Sequence, residues 1–124
     1  MRTRFGIILV ALLVGIAACG GYGGGPSTAP DGLSSPPAGA TVIDIVGING
    51  SRSFSPNPAS IPAGQMVTWH NVDVVVHRVV FDNVRVDTGD IGPGRFTGAM
   101  TLPAAAAYHC SIHPEMVGTV ANAQ

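Results

Sequence analysis

Ala106-Ala-Tyr-His-Cys110-Ser-Ile-His113-Pro-Glu-Met116-Val117-Gly-Thr-Val-Ala121 reads as two short strands joined by a turn. Ala106 to Cys110 and Val117 to Ala121 are small, aromatic or β-branched, the composition that fits a pleated, half-buried surface. Ser111 to Met116 carries Pro114 and is too short for anything but a hairpin connection. That connection gathers a thiol, an imidazole and a thioether, from Cys110, His113 and Met116, at one end of a strand pair.

Outward from the hairpin the same texture repeats. Thr41 to Ile48, Gln65 to Asn71, His77 to Phe81, Val84 to Asp87 and Arg95 to Leu102 are short and rich in β-branched or aromatic residues. Turn signals separate them: Ser55-Pro-Asn-Pro58, Pro62-Ala-Gly64, Asp82-Asn83 and Gly92-Pro-Gly94. Only Ala104 to Ala107 is helix-prone, and Pro103 precedes it. Strands at this spacing predict an all-β fold, a Greek-key β-sandwich of about seven to eight strands. In the Gln65 strand, alternation puts Val67 and Trp69 in the core and turns Met66, Thr68 and His70 the other way.

The N-terminal part has a different character. Arg2 and Arg4 precede an apolar run, Phe5 to Ala18, too short to span a bilayer and of the charge and length of an export signal. It ends in Ile16-Ala17-Ala18-Cys19, which resembles the bacterial lipoprotein signal, in which Cys19 is lipidated and becomes the new N-terminus. The plainer alternative is an ordinary signal peptide cut near the same alanines. Gly20 to Ala40 is mostly Gly, Pro and Ser and cannot bury enough apolar surface to offset its ordering entropy. Residues 1–18 are therefore read as a signal peptide, 19–40 as a lipidated cysteine with a flexible linker, and 41–124 as one small domain. The expected location is outside the cytoplasm, anchored to a bacterial membrane and facing the periplasm or cell exterior.

With Cys19 acylated, Cys110 is unpaired in a compartment where thiols oxidise, and a metal is one way to keep it safe. A buried inert thiol is the commoner fate of a lone cysteine. Met116 alone would be core filler, His113 a solvated loop residue, and His77 a strand-end histidine. Together Cys110, His113 and Met116, with His77 from a distant strand, supply the donor types of an electron-transferring copper site: a thiolate, two imidazoles and a weak thioether. His109 and His70 read as surface residues, since His109 points to the opposite strand face from Cys110. The net charge of −1, with no lysine in the chain, shows no basic stripe that nucleic acid would need.

The chain resembles the cupredoxin family. The resemblance rests on Cys110-x-x-His113-x-x-Met116, with Phe54-Ser-Pro-Asn-Pro58, Ile61-Pro-Ala-Gly64, Val67-Thr-Trp69, Asn71, Asp73, His77, Val79-Val-Phe81, Gly94, Phe96 and Tyr108 in the family's order. The short ligand loop is similar to that of amicyanins. The resemblance implies one type 1 copper ion held by His77, Cys110, His113 and Met116, and outer-sphere transfer of single electrons between redox proteins. It also implies a monomer with no substrate turnover of its own. Partners would dock on an apolar patch around His113, formed by Pro114, Val74, Val75 and Pro93. One departure stands out: Arg78 occupies the place where many relatives carry an Asn that ties the ligand loops together. The alternative functions are a copper carrier or chaperone outside the cytoplasm, a zinc-stapled domain, which thioether Met116 disfavours, and a thiol hydrolase, which lacks an orienting third group.

Overall fold

The computed structural model describes residues 32–123; the signal segment, Cys19 and most of the linker lie outside them. Eight strands form two four-stranded sheets: β1 (Ala40–Ile45), β2 (Phe54–Ser55), β3 (Ala59–Pro62), β4 (Met66–Asn71), β5 (Val79–Phe81), β6 (Met100–Thr101), β7 (Ala106–Cys110) and β8 (Val117–Ala123). One sheet has the order β2-β1-β4-β6 and the other β3-β8-β7-β5. Both are mixed: β1 runs parallel to β4 and β3 parallel to β8, while the other pairings are antiparallel. This is the expected all-β sandwich, and the hairpin that opened the reading is β7–β8, with Tyr108 opposite Gly118.

The inner faces meet around Ile43, Ile45, Val67, Trp69, Val79, Phe81, Tyr108 and Val120, all buried. At the centre the aromatic rings interlock edge to face, Trp69 against Phe81 at 5.7 Å and against Tyr108 at 5.5 Å, a geometry that sets ring edges against ring faces. Val67 and Trp69 are core residues as the alternation predicts. Thr68, on the opposite face, is buried as well. The backbone at Thr97 crosses over it, and the Thr68 hydroxyl donates to the Thr97 carbonyl at 2.8 Å.

Two expected strands are shorter than the pattern suggests. From Val84 to Asp87 only an isolated bridge forms, Val80 to Asp87, because the chain curls so that Phe81 N–H donates to the Val86 carbonyl. Of Arg95 to Leu102, only Met100 and Thr101 join a ladder. Phe96 instead bridges separately to His70 and Leu33. Conversely, β2 and β3 flank the proline cluster that reads as a turn. Both are edge strands, where a missing proline N–H is tolerated.

Candidate metal centre

β4 and β7 run toward the same end of the sandwich, and the donors collect there. Val79 pairs with Cys110, so His77, two residues upstream of Val79, lies just beyond the end of β7. A two-way backbone pairing with Ile91 holds His77 in place: its N–H donates to the Ile91 carbonyl at 3.2 Å and its carbonyl accepts the Ile91 N–H at 2.7 Å. The ligand turn closes on itself. The Met116 N–H donates to the His113 carbonyl at 2.9 Å and the Cys110 N–H to the Met116 carbonyl at 3.0 Å.

The result is a compact donor group. The Nδ1 atoms of His77 and His113 lie 3.7 Å and 3.6 Å from Cys110 Sγ, and the three donor atoms are all within 4.8 Å of one another. Bonds of roughly 2.0 Å to nitrogen and 2.3 Å to sulfur leave donor atoms about 3.5–3.7 Å apart around one ion, so the spacing fits a single metal. His77 and Cys110 are fully buried and His113 is half-buried. Met116 is fully buried, its backbone joined to both Cys110 and His113.

The surroundings aim these donors. His77 Nε2 meets Asp73 Oδ2 at 3.0 Å, which places the ring proton on Nε2 and leaves the Nδ1 lone pair facing the sulfur. The Asp73 carboxyl is held below the usual carboxylate range, first by the Val74 N–H donating to it and then by His77. Asp73 is fixed in turn by the fully buried Asn71, whose Oδ1 accepts the Asp73 N–H while its amide donates to the Val75 and Ile91 carbonyls. The Arg78 N–H points at Cys110 Sγ at 3.5 Å.

Arg78 resolves the departure noted in the sequence. The tie between the ligand loops is made by backbone, the Ser111 N–H donating to the Arg78 carbonyl at 2.9 Å. The guanidinium turns outward onto Asp87, with Nε and Nη2 on the two carboxylate oxygens at 2.8 Å and 2.6 Å, and reaches Asp90 at 3.7 Å. This pair holds the Asp87 carboxyl below its ordinary range.

His70 and His109 do not join the donor group. His70 stacks on Phe96 and meets Asp44 at 3.0 Å, and His109 meets Asp82 at 2.6 Å; both are half-buried rather than free surface residues. Of the anticipated docking residues, Val74, Val75, Pro93 and Pro114 are exposed and His113 is half-buried. The orienting role of Asp73 was not assigned from sequence, although its spacing of four from His77 was visible there.

No family model and no curated protein matches the sequence. Solved structures do. A purple cupredoxin from Nitrosopumilus maritimus superposes with a TM-score of 0.58 at 26% identity, covering 67% of this chain and 99% of that one. The Cu(I) form of an amicyanin variant gives 0.60 at 25% identity over 79% of this chain and 95% of its own. A Cu-containing nitrite reductase from Thermus scotoductus SA-01 gives 0.58 at 28% identity over 68% of this chain, but only 22% of the reductase is matched. Two mixed sheets, solved neighbours of this kind and a His-Cys-His group sized for one type 1 copper ion give the chain the cupredoxin β-sandwich fold with a site that fits type 1 copper.

Proposed function

We propose that the chain carries single electrons between redox proteins outside the cytoplasm, held to a bacterial membrane through Cys19, with its copper on His77, Cys110, His113 and Met116. The observation that carries this reading is the pair of Nδ1 atoms converging on a buried thiol at nearly equal distances, each presented by a separately braced loop. The bound ion supplies a one-electron couple. The chain would supply three strong donors and, in Met116, a soft thioether.

Bracing suits this work. A donor set fixed by backbone pairing, by Asp73 and by the Arg78 N–H cannot rearrange much when the charge at its centre changes, so little reorganisation opposes electron transfer. Electrons would enter and leave through His113, the half-buried donor in the apolar end face, and no substrate needs to reach the metal. The likeness to the nitrite reductase covers only a fraction of that enzyme, which favours a carrier over an enzyme.

The test is to titrate the apoprotein with Cu(II) and record the visible spectrum. One equivalent should give an intense thiolate-to-copper charge-transfer band that Cys110→Ser abolishes. A colourless complex that hands its copper to a chelating acceptor would replace this reading with a copper carrier.

A further inference from the structure

The segment read as the end of the tether is not free of the domain. Leu33 pairs with Phe96 as an added rung: its N–H donates to the Phe96 carbonyl at 2.6 Å and its carbonyl accepts the Phe96 N–H at 2.8 Å. Phe96 bridges to His70 of β4 and stacks on its ring at 3.9 Å. The approach is close enough to need glycine before it. Gly32 has φ +109°, and a Cβ there would lie 2.7 Å from the Phe96 carbonyl oxygen and 2.8 Å from Arg95 Cβ.

This clip relocates the point where the preceding chain leaves the domain. Ala40, the first residue of β1, sits opposite Met66 at the end of β4 remote from the donors. Leu33 sits level with His70, four residues further along β4, or about 13 Å nearer the metal end at roughly 3.3 Å per residue. Leu33 is only fourteen positions beyond Cys19. A lipid at Cys19 therefore holds the domain by its donor-bearing end.

That end is also the apolar one. Val46, Ile48, Val72, Val74, Val75 and Ile112 are all exposed there, on three neighbouring loops. Glu115 lies exposed in the ligand loop and Asp90 beside the Arg78 pair. Carboxylates on this rim make burial in hydrocarbon costly, and suit a protein surface better than lipid. We infer that the clip turns this face toward the membrane, and that its partner is a membrane-embedded redox protein whose electron port opens at the bilayer surface. The inference rests on lipidation of Cys19 and adds the direction of docking to it.

The full lipidated chain, in a Cys110→Ser background, would carry one fluorophore either at Val75→Cys, at the metal end, or at Ala63→Cys, in the exposed turn before β4. Each is placed in phosphatidylcholine and phosphatidylglycerol vesicles bearing headgroup energy acceptors. Transfer should be about twofold or more stronger from position 75 than from position 63, a difference that an end-to-end separation near the length of β4 supports. Gly32→Ala should erase the difference and expose the Leu33 and Phe96 amides to hydrogen exchange. Equal transfer, or stronger transfer from position 63, overturns the inference and leaves a soluble partner or a second copy as occupant. Quenching of the position 75 label by brominated acyl chains overturns it in favour of the bilayer. A chain that fails to float with the vesicles overturns the anchor itself, and the inference with it.

Discussion

Replacing Tyr108 with Phe should stabilise the domain. The ring is packed on three sides, by Phe54 at 4.8 Å, Phe81 at 5.3 Å and Trp69 at 5.5 Å, and a Phe ring keeps those contacts. The hydroxyl is buried and makes no hydrogen bond of good geometry among the described residues; the neighbouring Trp69 N–H, which pulls on it only loosely, is equally without one. An orphaned buried polar group costs about 1–3 kcal/mol, which its removal returns less a small void term. At about 4–8 °C per kcal/mol for a domain of this size, the melting temperature should rise by at least about 4 °C. The pH dependence is a second handle. Burial pushes the phenol up to about 12, with Trp69 pulling weakly the other way. The unfolded phenol titrates near 10. Because the folded value is the higher one, the protonated phenol favours folding fully only below about pH 10, and stability falls as the pH climbs from there toward 12, by about 2–3 kcal/mol across the window. The Tyr108→Phe change removes that alkaline loss. Urea unfolding of the apoprotein at pH 7 and pH 11, followed by the fluorescence of the single tryptophan, measures both effects. A Tyr108→Phe variant less stable by more than about 1 kcal/mol at pH 7, or one whose stability falls with pH in parallel with the parent, would show that the hydroxyl is satisfied and refute the reasoning.

Gly118→Ala should cost at least about 1–3 kcal/mol by overpacking, since its Cβ would lie 2.3 Å from Tyr108 Cζ and 2.5 Å from Oη, and the ring cannot retreat; the same urea titration reads it. Asp73→Asn should keep the fold but loosen the grip on the His77 ring, lowering copper affinity about 10–100-fold in a chelator competition; unchanged affinity would deny Asp73 its orienting role. Val74→Asp, at a side chain 84% exposed, should leave stability within about 0.5 kcal/mol and the visible band intact while slowing electron exchange with a redox partner; an unchanged rate would move the docking face elsewhere.

The β-hairpin and its donors were legible because they depend on short-range patterning. Tyr108 and Cys110 share a face by alternation, and a turn as short as Ser111 to Met116 has few places to send its side chains. His77 was legible as a residue type, but its arrival beside Cys110 depends on the β5–β7 register and on Ile91. No local pattern announces that pairing. The irregular edges were illegible for a related reason. Arg95 to Leu102 carries strand-like residues, yet its backbone spends hydrogen bonds on Leu33, Trp69 and Asn71 in turn rather than on one neighbour. Thr68 shows the same limit: alternation assigns its face, while a segment about thirty residues later decides whether that face sees water. The linker composition is equally misleading at its end, where Gly32 permits the close pairing of Leu33 with Phe96.

Arg78 bears on how such a site tolerates change. A side chain that ties two ligand loops can be lost only if something else makes the tie, and here the Arg78 carbonyl receives the Ser111 N–H directly. A bond between two backbone groups survives any substitution that preserves the local path. The guanidinium is thereby released to pin the irregular segment through Asp87 and Asp90, which packs Val84 and Val86 against the core and delivers Ile91 to His77. The pair is exposed, at 42% and 46%, so solvent screens it and its direct contribution to stability is small. Its larger effect is positional, because the Ile91 carbonyl accepts both the His77 N–H and the Asn71 amide. Asn71 and Ile91 thus link the buried strand β4 to the imidazole that completes the donor group, and the side chain at position 78 bears on that link through the segment it pins.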